Sequence, residues 1–269
     1  MGKAENTYHQ WLTDTLGGSA GSGWAVAEGE SAIHYALSDK TRMANYTNIS
    51  DRSFMISGTE EAASHYGLDS QYAYQLEKAM KELKIIMERV LLDGSAASAG
   101  SNSAARTMRG ALSFASAASQ SGAVSVSALT ESIYNDLCTS IFNNGGTPDT
   151  TFVGGFLKRR ISAFASNNTR TLEMKDKRLT GVVSIYESDF GTQEIVLNRW
   201  IKGIGFAAAD NGCGLVTAMD AFKLAYLRKP FTNPLANDGD RRRVQLLVEY
   251  TLENLNPVAC GRLSAFATA

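Results

Sequence analysis

Proline is scarce, with 4 in 269 residues, well under ordinary usage of about 5%. Strands and long helices therefore keep their backbone donors, and bends fall to the 24 glycines. The three cysteines, Cys138, Cys213 and Cys260, lie far apart and none belongs to a Cys-x-x-Cys pair. That argues against a disulfide framework or a zinc site and for a reducing compartment. Neither sign of charge is in excess: 26 Lys and Arg face 27 Asp and Glu, a net charge of -1. A dedicated nucleic-acid binder would show a basic surplus, and no acidic tail is present either. No apolar run approaches the ~18 residues of a membrane span. Lys3, Glu5, His9 and Asp14 break up any signal-peptide core. The expectation is a soluble protein made inside the cell, with no membrane partner. What is present, 44% hydrophobic and 20% charged residues, suits a globular chain.

Residues 1–16 mix polarity around Tyr8, Trp11, Leu12 and Leu16, and residues 17–23 read as a flexible linker. Residues 24–57 read as an extended β-hairpin. One arm alternates at Ile33, Tyr35 and Leu37, residues 38–41 turn, and the return arm runs through Met43 to Phe54 and Ile56. Neither arm has a dense apolar face, so a free hairpin would be marginal and needs something to lie on. The strongest local signal follows. Asp69 or Ser70 caps a helix over residues 71–92, with Tyr72, Leu76, Met80, Leu83, Met87 and Val90 forming one stripe. About 22 residues at ~1.5 Å each make a rod of roughly 33 Å, which reads as a spine.

A short helix is expected around Arg106, Met108, Leu112 and Phe114. A longer one over residues 127–142 stops at Asn143-Asn144-Gly145-Gly146. Residues 151–153 read as a strand leading into a helix over 157–164. Within residues 179–201 two strands flank the turn Ser188-Asp189-Phe190-Gly191. Val244, Leu246, Val248, Tyr250 and Leu252 alternate with polar residues as a half-buried strand, and residues 258–263 are expected to pair back on it. No internal repeat appears. Strands cluster instead of alternating with helices, so the fold class is α+β.

Two motif matches fail on context. Gly17-Gly18-Ser19-Ala20-Gly21 has the G-x-S-x-G form, but a nucleophile elbow needs a buried strand before the serine and a helix after it. Gly203-Ile204-Gly205-Phe206-Ala207-Ala208 has the G-x-G-x-x-A form, yet a turn cluster at 209–214 stands where a dinucleotide site needs a helix. A nucleotide-binding enzyme using Gly203 and Gly205 is kept as a lesser alternative. His9, His34 and His65 fall in no metal spacing. The paired acids Glu28/Glu30, Glu60/Glu61 and Glu187/Asp189 read as solvated faces and strand edges. Asn45, Asn48 and Asn167 open glycosylation-type triplets, which matter only in a secreted protein. The basic triplets Lys158-Arg159-Arg160 and Arg241-Arg242-Arg243 lack interleaved aromatics, so subunit pairing or solvent is expected over base reading. No catalytic, cofactor-binding or metal residue emerges, and no cofactor is expected.

Several ordered segments do carry a resemblance. They begin with Ser57-Gly58-Thr59-Glu60-Glu61-Ala62-Ala63, Tyr72-Ala73-Tyr74-Gln75, Lys81-Glu82-Leu83-Lys84 and Arg106-Thr107-Met108-Arg109-Gly110. Phe156-Leu157-Lys158-Arg159-Arg160-Ile161-Ser162-Ala163-Phe164 and Tyr186-Glu187-Ser188-Asp189-Phe190-Gly191 follow. Arg228-Lys229-Pro230-Phe231, Asp238-Gly239-Asp240 and Glu249-Tyr250-Thr251-Leu252-Glu253-Asn254 close the series. In this order they resemble the major capsid proteins of tailed bacteriophages, in the branch typified by the SU-ten major head protein, over residues 7–263.

The resemblance implies a Hong Kong 97-like capsid fold. Residues 1–23 would be an N-terminal arm, 24–62 the extended loop, and 63–116 a peripheral domain with the spine helix. Residues 117–222 would be an axial domain meeting its copies around five- and sixfold axes. Residues 223–269 would return to the peripheral domain, with 231–241 a loop near threefold contacts. Relatives of this type carry a further arm ahead of the segment resembling residues 6–16; maturation proteolysis or a short arm would account for its position here.

The implied function is a structural one: a major capsid protein, not an enzyme, self-assembling as hexamers and pentamers into the icosahedral head around double-stranded DNA. Portal, scaffolding and decoration proteins are further expected partners, and DNA contact would be non-specific. The place would be the virion, after assembly in the host bacterial cytoplasm. An encapsulin-type cellular compartment shares the fold and is the main alternative. Arg106, Arg109 and the two basic triplets are the candidates for interface ion pairs.

Overall fold

The computed structural model describes residues 2–14, 27–29, 31, 39–63, 66–67, 70–94, 96–115, 120–121, 129–164, 185–201 and 212–264. The glycine linker, the hairpin arm with Ile33, Tyr35 and Leu37, His34, His65, the Asn167 triplet and the Gly203–Gly205 motif lie outside the described residues. In chain order the elements are β1 (Gly2–Lys3), β2 (Tyr8–Thr13), β3 (Thr41–Tyr46), β4 (Asn48–Ser57), α1 (Gly58–Ala62), α2 (Gln71–Asp93) and α3 (Ala111–Phe114). They continue with β5 (Gln120–Ser121), α4 (Glu131–Asn143), β6 (Thr150–Val153), α5 (Gly155–Phe164), β7 (Ile185–Ser188) and β8 (Gly191–Leu197). The last are β9 (Gly214–Thr217), β10 (Phe222–Leu235), β11 (Arg241–Asn254) and β12 (Gly261–Ser264).

Among the described residues three sheets form: a four-stranded one in the order β1-β10-β11-β4, a six-stranded one in the order β5-β12-β9-β6-β8-β7, and the ribbon β2-β3. The expected return arm of the hairpin is thus divided. Its first half, β3, pairs with β2, with Trp11 opposite Met43, and its second half, β4, pairs with β11 along its whole length. The marginal apolar face is explained by this: each half borrows its core from a partner elsewhere in the chain.

The spine helix α2 forms as its sequence dictates. Ser70 caps it by accepting from the Ala73 N–H, and Gly94 ends it. Its buried seam differs from expectation at one position, because Met80 is 43% exposed and Ala79 is buried instead. At 100° per residue, two steps of four carry Met80 about 80° away from Tyr72, whereas Ala79 stays within about 20°. The seam packs against Val244, Leu246 and Val248 of β11 in one core with Met108, Leu112, Phe114 and Tyr250.

The helix expected around Arg106–Phe114 shortens to α3. Residues 106–110 are held extended instead, because Thr107 bridges Ser98 and the Gly110 N–H donates to the Gly94 carbonyl at 2.8 Å. Strand β11 is not half-buried throughout. Glu249 and Thr251 are buried as well as Val248, Tyr250 and Leu252, since the β2-β3 ribbon and the 106–109 segment cover its second face. Nor do residues 258–263 pair with β11. The short 3-10 turn Pro257–Ala259 redirects the chain, and β12 pairs antiparallel with β9 and parallel with β5.

A second core lies between the six-stranded sheet and the helices α4 and α5, built on Tyr134, Leu137, Ile141, Leu157, Ile161, Ile195 and Val216. Helix α4 begins at Glu131, four residues later than its apolar pattern implies, where Thr130 accepts from the Ile133 N–H. The hairpin β7-β8 closes around Asp189-Phe190 as expected.

Candidate functional site

The long ladder β10-β11-β4 carries its charge at two levels. At the inner level, Glu249 is 4% exposed and its carboxylate collects three donors. Thr47 donates its hydroxyl at 2.9 Å, Arg228 donates its Nε–H at 2.8 Å, and the guanidinium of Arg106 pairs with the same oxygen as Thr47. Arg106 also donates its Nε–H to the Thr47 carbonyl at 2.7 Å. A carboxylate buried in this way needs such partners, because desolvation alone would disfavour its charge.

Beside it, the carboxamide of Asn45 donates to the carbonyls of Arg109 (3.0 Å) and Leu252 (2.9 Å) and accepts from the N–H groups of Arg109 and Tyr46. His9 meets Glu253 at 2.7 Å, and the Trp11 indole donates to the Asn254 carbonyl at 2.9 Å. The N-terminal strands are thereby fastened to the C-terminal part of the chain.

At the outer level the end of β10 and the turn after it lie open to solvent. From Arg228 to Asp240 every residue is exposed. Near the tip, Asp238 takes both Arg241 (3.3 Å) and Arg243 (2.9 Å), while Arg242 reaches Glu61 at 3.2 Å and lies 4.0 Å over the Tyr72 ring. Cross-strand register places Phe231, Leu247 and Asp51 in one row and Leu235, Arg243 and Met55 in another, on the face turned away from α2. Met55, Phe231 and Leu235 are exposed there. This face is a bare sheet surface, apolar and polar by turns.

The candidate arginines therefore separate. Arg106 is part of the buried junction, and Arg109 donates to Ser113 and lies 4.9 Å over the Phe114 ring. The 241–243 triplet is surface-exposed and paired within the chain. In the other triplet, Lys158 donates to the Ile195 carbonyl at 2.9 Å, Arg160 lies over Phe156, and Arg159 is exposed. Glu61 belongs to the Arg242 pair, while Glu187 and Asp189 are exposed at the β7-β8 hairpin.

Asn45 and Glu249 were missed as interaction hubs. The only signal for Glu249 was a carboxylate flanked by Val248 and Tyr250 in an apolar strand; Asn45 gave none beyond its place in a glycosylation-type triplet. Burial pushes the Cys138 and Cys260 thiols up, away from the thiolate. Burial likewise raises the Tyr134 phenol, whose hydroxyl shares hydrogen bonds with Thr151 and Gln193. Among the described residues no group of three His, Cys, Asp or Glu gathers as a metal site. No described helix is long and apolar enough to cross a membrane.

Comparison with known proteins agrees with this architecture. A curated major capsid protein of Escherichia phage Phieco32 is 33% identical over 90 residues, which is 34% of this chain and 25% of the relative. The match therefore spans about a quarter of that relative's length. The capsid structure of cyanophage P-SCSP1u superposes with a TM-score of 0.58 at 13% identity, covering 99% of this chain and 86% of that one. The SrpI encapsulin of Synechococcus elongatus superposes with a TM-score of 0.58 at 9% identity, over 86% of this chain and 79% of that one. The fold is the Hong Kong 97-like capsid fold, α+β in class. The family model described as SU10 major capsid protein matches residues 1–267, and the chain belongs to that family.

Proposed function

We propose that this protein is the major capsid protein of a tailed phage, self-assembling as hexamers and pentamers into the icosahedral head that encloses double-stranded DNA. The observation that carries this reading is the family match along residues 1–267. The exposed sheet face and the exposed 228–240 segment suit it, since a shell subunit offers such surfaces to its neighbours.

On this reading residues 1–23 are the arm and 24–62 include the extended loop, whose return half is built into the two sheets described above. Residues 63–116 and 223–269 form the peripheral domain, except that β12 joins the six-stranded sheet of residues 117–222, the axial domain that meets its copies around the symmetry axes. The shell contacts DNA without reading its sequence, which accords with a net charge of -1. Portal, scaffolding and decoration proteins complete the head, in particles put together in the bacterial cytoplasm. The role is structural and not enzymatic; calorimetric titration with NAD or ATP is expected to give no binding heat, against the alternative that uses Gly203 and Gly205.

Electron microscopy of the purified protein tests the reading directly. Closed shells are expected, and a protein that stays monomeric across salt, pH and concentration overturns it. The encapsulin likeness supplies the second reading, though it covers less of the chain. Gene neighbours separate the two: portal and terminase genes for a phage head, a cargo enzyme for an encapsulin.

A further inference from the structure

The six-stranded sheet carries opposite charges on its two sides. On one side, α5 buries Leu157, Ile161 and Phe164 and turns Arg159 and Arg160 outward. Arg159 has no polar partner among the described residues, and Arg160 has only the Phe156 ring, 5.2 Å away. The other side is read from strand alternation. Ile195 and Tyr186 face the helices, since Ile195 belongs to their core and Tyr186 bonds to Glu131 and Asn135 of α4. Their neighbours must therefore face away.

Those neighbours are Ile185 paired with Glu194 and Glu187 paired with Thr192, with Asp189 at the turn beyond. All five are exposed, Ile185 by 62%. The carboxylates of Glu187, Asp189 and Glu194 have no hydrogen-bond or ion-pair partner among the described residues. In addition, among the described residues β7 is the last strand of its sheet. The two charged surfaces thus stand on opposite sides of one folded unit, and one chain's own sheet keeps them apart.

We infer that these surfaces meet between copies: Arg159 and Arg160 of one subunit dock against Glu187, Asp189 and Glu194 of the next, with Ile185 buried in the contact. This rests on the proposed shell function and names the residues of one of its contacts. A basic patch on one side and an acidic edge on the other make a heterologous, head-to-tail contact, the kind that closes into a ring when each step rotates by a fixed angle. Like charges meet when two copies approach face to face in the wrong sense, so the pattern also selects direction.

A charge-swap series tests it, read by electron microscopy and by sedimentation. The wild type in the same assay must form shells; its failure would count against the shell function itself, not against this contact. R159E/R160E and E187R/E194R are each expected to lower shell yield by about tenfold or more, while circular dichroism shows a folded subunit. The quadruple variant R159E/R160E/E187R/E194R restores the complementary pair and is expected to recover most of the yield. Wild-type yield from either double variant, or no recovery in a folded quadruple variant, overturns the inference. If the quadruple variant is misfolded, mixing the two folded double variants replaces it. Each then offers the surface the other needs in alternation, so mixed oligomers with an even number of subunits are expected by sedimentation, and their absence overturns the inference.

Discussion

Arg228 donates its Nε–H to Glu249 at 2.8 Å across the β10-β11 ladder, and the other oxygen of Glu249 is taken by Arg106 and Thr47. The two arginines differ in what they contribute, because the Arg106 side chain is 20% exposed and that of Arg228 46%. Replacing Glu249 by Gln leaves a buried guanidinium without its carboxylate, a change that costs about 3–5 kcal/mol. Arg228→Met removes only a half-solvated partner and is expected to cost about 1 kcal/mol or less. Urea unfolding of the unassembled subunit measures both, and equal effects would mean that Arg106 does not anchor the junction.

Asn45 joins β3 to Arg109 and Leu252 by four hydrogen bonds in a buried setting. Asn45→Ala strips partners from buried and part-buried backbone groups and is expected to destabilise by about 2–3 kcal/mol. Asn45→Asp keeps the size but sets a carboxylate against two carbonyl oxygens, so it should be at least as harmful. Thermal melts of the two variants against wild type decide the matter; a mild aspartate variant would show that the donors are dispensable.

Gly110 lies against the end of the spine helix. A Cβ there would stand 2.5 Å from the Gly94 nitrogen and 2.9 Å from the Leu92 carbonyl oxygen, both backbone. Gly110→Ala must therefore push two segments apart and is expected to cost about 2–3 kcal/mol. Gly155, in the first turn of α5, has nothing within 4 Å, and Gly155→Ala is expected to stabilise by about 0.5 kcal/mol. Chemical denaturation of the pair gives the two signs.

Tyr250 predicts how the subunit responds to base. Burial pushes its phenol up to about 12, against an ordinary value of 10.0, with bonds from Ser50 and Asn48 acting the other way. The folded state therefore keeps its proton when the unfolded state loses it. This contribution is fully present below pH ~10 and is lost as pH rises from there through about 12, at up to roughly 2–3 kcal/mol. Tyrosinate absorbance and unfolding should rise together in that window; Tyr250→Phe should flatten this part of the pH dependence.

The ribbon tip separates assembly from folding. Arg241 and Arg243 both pair with Asp238 at exposed positions, so reversing both to Glu should alter subunit stability by about 1 kcal/mol or less. Shell formation is expected to suffer more, because the same tip would meet its neighbours on assembly. Normal shells from the double variant would remove the tip from the contacts.

The spine helix and the hairpin β7-β8 were legible because their causes are local. Ser70 caps the first turn, no proline interrupts α2, and Ser188 to Gly191 is turn chemistry whatever surrounds it. The strand β11 was legible in its Val244–Leu252 alternation, though not its burial on both faces. The division of residues 41–57 between two partners was illegible. So were the pairing of β12 with β9 and the hubs at Asn45 and Glu249.

By itself, then, the sequence determined the α+β class, the long helix and the family, since capping, periodicity and the order of segments all act or are read along the chain. The tertiary structure alone decided which strand each apolar face would rest on and which acid would be buried. Trp11 bonds across 243 residues and Asn45 across 207, and such pairings depend on register and layer, which short-range pattern does not encode. The two-sided charge of the six-stranded sheet has the same origin. Glu187 and Glu194 share a face only because β7 pairs with β8 in that register, and Arg159 lies opposite them only because α5 packs on the other side.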